Sequence, residues 1–110
     1  MAMEPALDMP AQDLRAARAA GETLTLVDCR EPWEHETARI SGDVLIPLGE
    51  IVSRADEVPR EGLVVVYCHH GIRSRQGALL LRRAGVAGAR SLAGGIDRWS
   101  LEIDPAVPRY

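Results

Sequence analysis

The sequence has 110 residues, 13 of them basic and 16 acidic, for a formal net charge of −3. That length suits one domain, residues 1–110, built around one core. The charge balance predicts no nucleic-acid or membrane partner. With no apolar run of spanning length and no signal-peptide core, a cytoplasmic protein is expected.

Residues 9–20 read as a first helix, because Ala11, Leu14, Ala17 and Arg18 recur at helical spacing and Gly21 stops the run. Leu24 to Val27 reads as a buried strand ending at Asp28-Cys29-Arg30. A polar connection comes next over residues 31–40, with a short helix after Pro32. Val44-Leu45-Ile46 is a second short strand closed by Pro47, and residues 49–56 are expected to be helical, ended by Pro59. Leu63 to Tyr67 is the clearest strand, a continuous apolar run as in a sheet covered on both faces. Residues 74–84 form the next predicted helix, with Arg82 and Arg83 in its last turn and Gly85 as its stop. Ala89 to Leu92 is a further strand, Gly94-Gly95 a turn, and residues 96–101 a short helix. The segment 104–110 reads as irregular. Alternating strands and helices predict an α/β sandwich with a mainly parallel sheet and right-handed crossovers.

Ligands in such sheets bind beyond the carboxyl ends of the strands. Cys68 lies at that edge, directly after Val64-Val65-Val66-Tyr67 and before Gly71 and a leucine-rich helix. A thiol there faces the donor end of a helix, which favours the thiolate, and the thiolate is the nucleophile. Arg73 and Arg75 crowd the same helix start, where acidic residues are the usual choice, so an anion is expected between them. The plain alternative is that each points into water. The second cysteine, Cys29, also ends a core strand. Without an export signal a disulfide is not expected, and two cysteines without paired metal spacing do not suggest zinc. Adjacent Cys68, His69 and His70 are poorly placed to converge on one ion.

Four segments resemble the rhodanese-like sulfurtransferase family, and the closest pattern is that of its small, single-domain bacterial members. Asp28-Cys29-Arg30-Glu31-Pro32-Trp33-Glu34 resembles the family's Asp-x-Arg-Glu-Pro motif. The run Ile40-Ser41-Gly42-Asp43-Val44-Leu45-Ile46-Pro47-Leu48 resembles the family's next strand. Cys68-His69-His70-Gly71-Ile72-Arg73-Ser74 resembles the active-site loop, and Gly94-Gly95-Ile96-Asp97-Arg98-Trp99 the closing Gly-Gly signature. Two positions depart from the pattern: Ala38-Arg39 stands where Gly-His is usual, and His35 where an aromatic residue often comes after the glutamate.

The resemblance implies a three-layer sandwich with a sheet of about five strands flanked by helices. It implies a double displacement in which Cys68 takes a sulfane sulfur from thiosulfate or a persulfide donor and passes it to a thiol acceptor or carrier protein, with no cofactor or metal. The backbone of His69, His70, Gly71, Ile72 and Ser74 would cradle the sulfur, and Arg73 would close the loop and add positive potential. Asp28 and Arg30 would brace the site, and Trp33 would line its mouth or pack beside it. The side chains of His69 and His70 are expected to point outward, Trp99 to be core, and Cys29 to fill an aliphatic position in preference to acting as a resolving thiol. Two rivals stand beside this reading. One is a cysteine-dependent phosphatase of related fold, whose loop has five residues between Cys and Arg where this one has four. The other is a non-catalytic binding module.

Overall fold

The computed structural model describes residues 4–110. Five strands form one parallel sheet: β1 (Asp8–Met9), β2 (Leu24–Asp28), β3 (Val44–Leu45), β4 (Leu63–Tyr67) and β5 (Ala89–Leu92). They lie in the order β1-β5-β4-β2-β3. Helices α1 (Ala11–Ala19), α2 (Pro32–Thr37) and α3 (Ile72–Arg83) lie between strands, and α4 (Gly95–Glu102) follows β5. The expected α/β sandwich is therefore present.

The period-two alternation of β4 divides the core. Val65 and Tyr67 face Leu14 of α1 and Ile96 and Trp99 of α4. Val64, Val66 and Cys68 face Ala78 and Leu81 of α3. Because both faces are covered, β4 is apolar at every position, as a central parallel strand must be. The same alternation in β2 sends Leu26 to the first face and Val27 and Cys29 to the second. The register pairs Asp28 with Tyr67, so Cys29 and Cys68 come next side by side and share a face.

Three expectations are corrected. Residues 49–56 do not form a helix; two 3-10 turns, Leu48–Glu50 and Ala55–Glu57, replace it. The Ser53 hydroxyl donates to the Glu50 carbonyl at 3.1 Å, competing locally with helix continuation. Met9 belongs to an edge strand, β1, rather than to the first helix, and Pro10 is that helix's N-cap. Helix α3 starts at Ile72, two residues earlier than expected, which brings Arg73 and Ser74 into its first turn. Among the described residues no helix is long and apolar enough to cross a membrane.

Candidate active site

Cys68 leaves β4 at the carboxyl edge of the sheet and is 1% exposed. Gly71, at φ 101°, turns the chain into α3. No side chain caps this helix, so its first N–H groups are free to point elsewhere. Two of the loop's N–H groups reach the cysteine sulfur, Gly71 at 3.1 Å and Ser74 at 3.3 Å. The Ser74 hydroxyl lies 3.3 Å from the same sulfur and 2.7 Å from the Ser91 hydroxyl. With the sulfur ionised, Ser91 donates to Ser74 and Ser74 donates to the thiolate. The expected cradle is thus narrower than the whole loop: its contacts to the sulfur come from Gly71 and Ser74, while the Ile72 side chain is 82% exposed.

The other side of the loop is clamped by α4. The Ile96 N–H donates to the Cys68 carbonyl at 2.9 Å, and the Asp97 N–H to the His69 carbonyl at 3.1 Å. The approach is so close that a Cβ at Gly95 would collide with both carbonyl oxygens. The Gly-Gly turn therefore serves the site through backbone geometry.

The Cys68 thiol is pulled down to about 5. The neighbouring Cys29 thiol is the largest cause; burial opposes it, and the Ser74 hydroxyl and the Ser74 and Gly71 N–H groups add to it. In turn Cys29 is pushed up, first by the neighbouring Cys68 and then by burial. So Cys29 is buried, as an aliphatic residue would be, and its thiol stays protonated beside Cys68. The sequence points to N–H groups and Arg73 as the thiolate's stabilisers and gives no sign of this neighbour.

Arg73, expected to close the loop and add positive potential, has its guanidinium engaged. It makes a bidentate pair with Glu34, 2.6 Å to Oε1 and 2.9 Å to Oε2. Arg73 first, then Tyr110 and the Glu31 N–H, hold the Glu34 carboxyl down at about 2 against the opposing effect of burial. Much of the positive potential expected of Arg73 is thereby balanced. Arg75 lies 3.3 Å from Asp8, half exposed, and takes no part in the cradle.

Arg30 is fully buried and does not face the thiol's surroundings as a substrate contact. Its guanidinium grips both Asp28 oxygens at 2.8 Å, the Ala38 carbonyl at 2.6 Å and the Tyr110 hydroxyl at 2.7 Å. Removing either member of the Asp28–Arg30 pair would strand a buried charge, at a cost of about 3–5 kcal/mol. The pair ties the end of β2 to the Ala38 carbonyl and the Tyr110 hydroxyl. Beyond it, His35 and Asp43 extend the same network: His35 Nδ1 is 2.9 Å from Asp28, and Asp43 is held by Arg39 at 2.6 Å and by the Tyr67 hydroxyl. Both carboxylates of this cluster already have cationic or hydroxyl partners.

His69 does not point freely outward. Its ring stacks on Tyr110 at 4.0 Å and on His70 at 3.9 Å, and its buried Nε2 has no hydrogen-bond partner. Burial and the adjacent His70 hold its imidazole below the usual range. His70 is 62% exposed and lies 4.0 Å from Asp97, which Arg109 already engages at 2.9 Å. His69, His70 and Asp97 each offer a ligand atom within 4.8 Å of the others, with the Asp97 carboxylate already engaged by Arg109. Trp33 is 61% exposed and meets Tyr110 edge-on at 6.1 Å. Trp99 is buried, as expected. A shallow groove of about 560 Å³ beside His35, Arg39, Asp104 and Pro108 contains neither cysteine.

Glu34, Ser91 and Tyr110 join the site without being expected there. Glu34 lies inside the first motif and forms a capping box with Glu31, which is its only sequence signal. Ser91 and Tyr110 carry none.

A family model for the rhodanese-like domain matches residues 10–102. The chain belongs to the rhodanese-like domain family. It is 32% identical over 100 residues to a protein named sulfurtransferase from Allochromatium vinosum, covering 91% of this chain and 94% of that one. It is 33% identical over 101 residues to the probable adenylyltransferase/sulfurtransferase MoeZ of Mycobacterium tuberculosis, covering 90% of this chain but only 26% of that protein. The human single-domain sulfurtransferase TSTD1 superposes with a TM-score of 0.80 at 28% identity, covering 89% of this chain and 98% of that one.

Proposed function

We propose that this protein is a sulfurtransferase that carries a sulfane sulfur on Cys68, taking it from thiosulfate or a persulfide and giving it to a thiol acceptor. The observation that carries the reading is the thiol's setting: a buried sulfur receiving two N–H groups and a hydroxyl at a helix start. In the first step the Cys68 thiolate attacks the outer sulfur of thiosulfate. The S–S bond breaks and sulfite leaves with its electron pair. The remaining loop N–H groups would hold the outer sulfur of the new persulfide. In the second step an acceptor thiolate attacks that outer sulfur, and Cys68 departs as the thiolate that began the cycle. Small thiols or the exposed thiol of a carrier protein fit this step.

Two features favour sulfur over phosphate. The loop places four residues between Cys68 and Arg73, a tight turn for a phosphoryl group with three equatorial oxygens. The Arg73 guanidinium, which would have to face those oxygens, is held bidentately by Glu34. The low-titrating thiol likewise favours a catalyst over a passive binding module.

Mass spectrometry of the protein after exposure to thiosulfate should show one added sulfur on the Cys68 peptide. Cys68→Ser should fold normally and lose sulfur transfer altogether. Retained thiosulfate-dependent turnover in that variant, or aryl-phosphate hydrolysis without sulfur loading in the parent, would overturn the reading.

A further inference from the structure

The loop that cradles Cys68 runs from His69 to Arg73, and one residue from outside the family's matched segment touches one of its ends and reaches the other through Glu34. Tyr110 lies beyond residues 10–102, in the stretch after α4. Its ring lies flat on His69, centroids 4.0 Å apart and planes within 6°. Its hydroxyl donates to Glu34 Oε2 at 2.7 Å, and that same oxygen accepts from Arg73 at 2.9 Å. The hydroxyl oxygen accepts from Arg30 at 2.7 Å.

The direction of this chain of bonds matters. Arg30 is immobile: it is fully buried and fixed by Asp28 and the Ala38 carbonyl. Glu34, by contrast, sits on a helix of six residues. A helix that short has little stiffness of its own. Tyr110 ties the rigid arginine to the carboxylate of the short helix, and that carboxylate sets where Arg73 and the first turn of α3 lie. The same turn supplies the Ser74 N–H and hydroxyl to the thiolate.

The segment that carries Tyr110 is itself tied down. Val107 is buried against the α1 and α4 face. The Ser100 hydroxyl donates to its carbonyl at 2.6 Å, and Arg109 pairs with Asp97 at 2.9 Å. Trp33 closes against the outer edge of the Tyr110 ring. A side chain that only covered surface would need none of these tethers.

We propose that Tyr110 is a positioning residue for the Cys68 site, its hydroxyl setting Arg73 through Glu34 and its ring setting His69, so that the segment after α4 holds both ends of the thiolate's loop. It acts through those residues and touches no reacting atom. The proposal rests on the sulfur-transfer reading only where turnover is measured.

Tyr110→Phe keeps the ring and removes the hydroxyl. The pH midpoint of Cys68 alkylation by iodoacetamide should move upward, because the donors of the first turn are less well aimed. Thiosulfate turnover should fall about tenfold in kcat with KM little changed, the scale expected for a small misplacement of catalytic groups. In a Glu34→Gln background the same substitution should add almost nothing, since its route is already cut. A Tyr110→Phe protein with the parent's alkylation midpoint and kcat would overturn the proposal, as would effects that simply add to those of Glu34→Gln. Alkylation is readable without any turnover. A parent that alkylates at low pH yet transfers no sulfur would therefore sink the sulfur-transfer reading and leave the test of Tyr110 standing.

Discussion

Cys29 and Cys68 end neighbouring strands, share one face of the sheet and are each 1% exposed, yet they titrate in opposite directions. Burial is common to both, so burial does not decide which becomes the nucleophile. The chain just beyond each cysteine decides. After Cys68 comes a glycine turn and an uncapped helix whose N–H groups fold back on the sulfur. After Cys29 comes Arg30, whose backbone and side chain both turn to Asp28 instead. A buried thiol with aimed donors becomes an anion, and its neighbour without them stays protonated.

The largest expected effect comes from erasing the difference between the two ends. One glycine inserted between His70 and Gly71 would swing the Gly71 and Ser74 donors off the sulfur while leaving β4 and α3 in place. Cys68 would then resemble Cys29. Its alkylation midpoint should climb to or beyond the free-thiol value of about 8.5, and sulfur transfer should drop by at least about a hundredfold. An inserted variant as fast as the parent would show that loop length does not set the chemistry.

Removing the neighbour sharpens the comparison more gently. Cys29→Ala takes away the largest single cause of the Cys68 shift but leaves the backbone donors. The midpoint should rise from about 5 while staying below the free-thiol value. Because Cys68 is an acid held low, its thiolate is full above the midpoint and is lost as pH falls through it. Sulfur transfer by the variant should therefore be kept in alkaline buffer and lost at a higher pH than in the parent. Collapse of transfer at every pH, with the persulfide trapped, would instead give Cys29 a covalent part in the cycle.

The smallest effect concerns the clamp at the loop's far end. Glu34 is held at about 2 against an ordinary 4.5. A carboxyl lowered in the folded state stabilises fully above its ordinary value, and that contribution is lost as pH falls from 4.5 toward about 2. The melting temperature of the parent should decline across that window more steeply than that of Glu34→Gln. Parallel curves would mean the Arg73 pair contributes nothing to folding.

Legibility tracked the range of the interactions involved. The apolar run 63–67 and the Leu-rich stretch of α3 declare themselves locally, and so does a thiol between a strand and a glycine turn. Residues 49–56 mislead because Ser53 can bond its own backbone as well as continue a helix. Strand β1 is two residues long and exists only through its pairing with β5. The influence of Cys29 depends on the register of two strands that the linear order does not state. Tyr110 reaches Glu34 across 76 positions with no local pattern to announce it.

The clamp that α4 places on the Cys68 and His69 carbonyls has a bearing on the order of folding. The sheet is parallel throughout, and its edge pairing joins Asp8 to Ser91. Neither that strand nor the α4 clamp can form before residues 89–97 are available, and such distant contacts are slow to close. A partly folded chain that has only β2, β4 and α3 would hold the two thiols near each other with the loop still loose. The groups that lower the Cys68 thiol all belong to those elements or adjoin them, so what the last contacts add is shape: the Cys68 and His69 carbonyls are fixed only once α4 has closed on them.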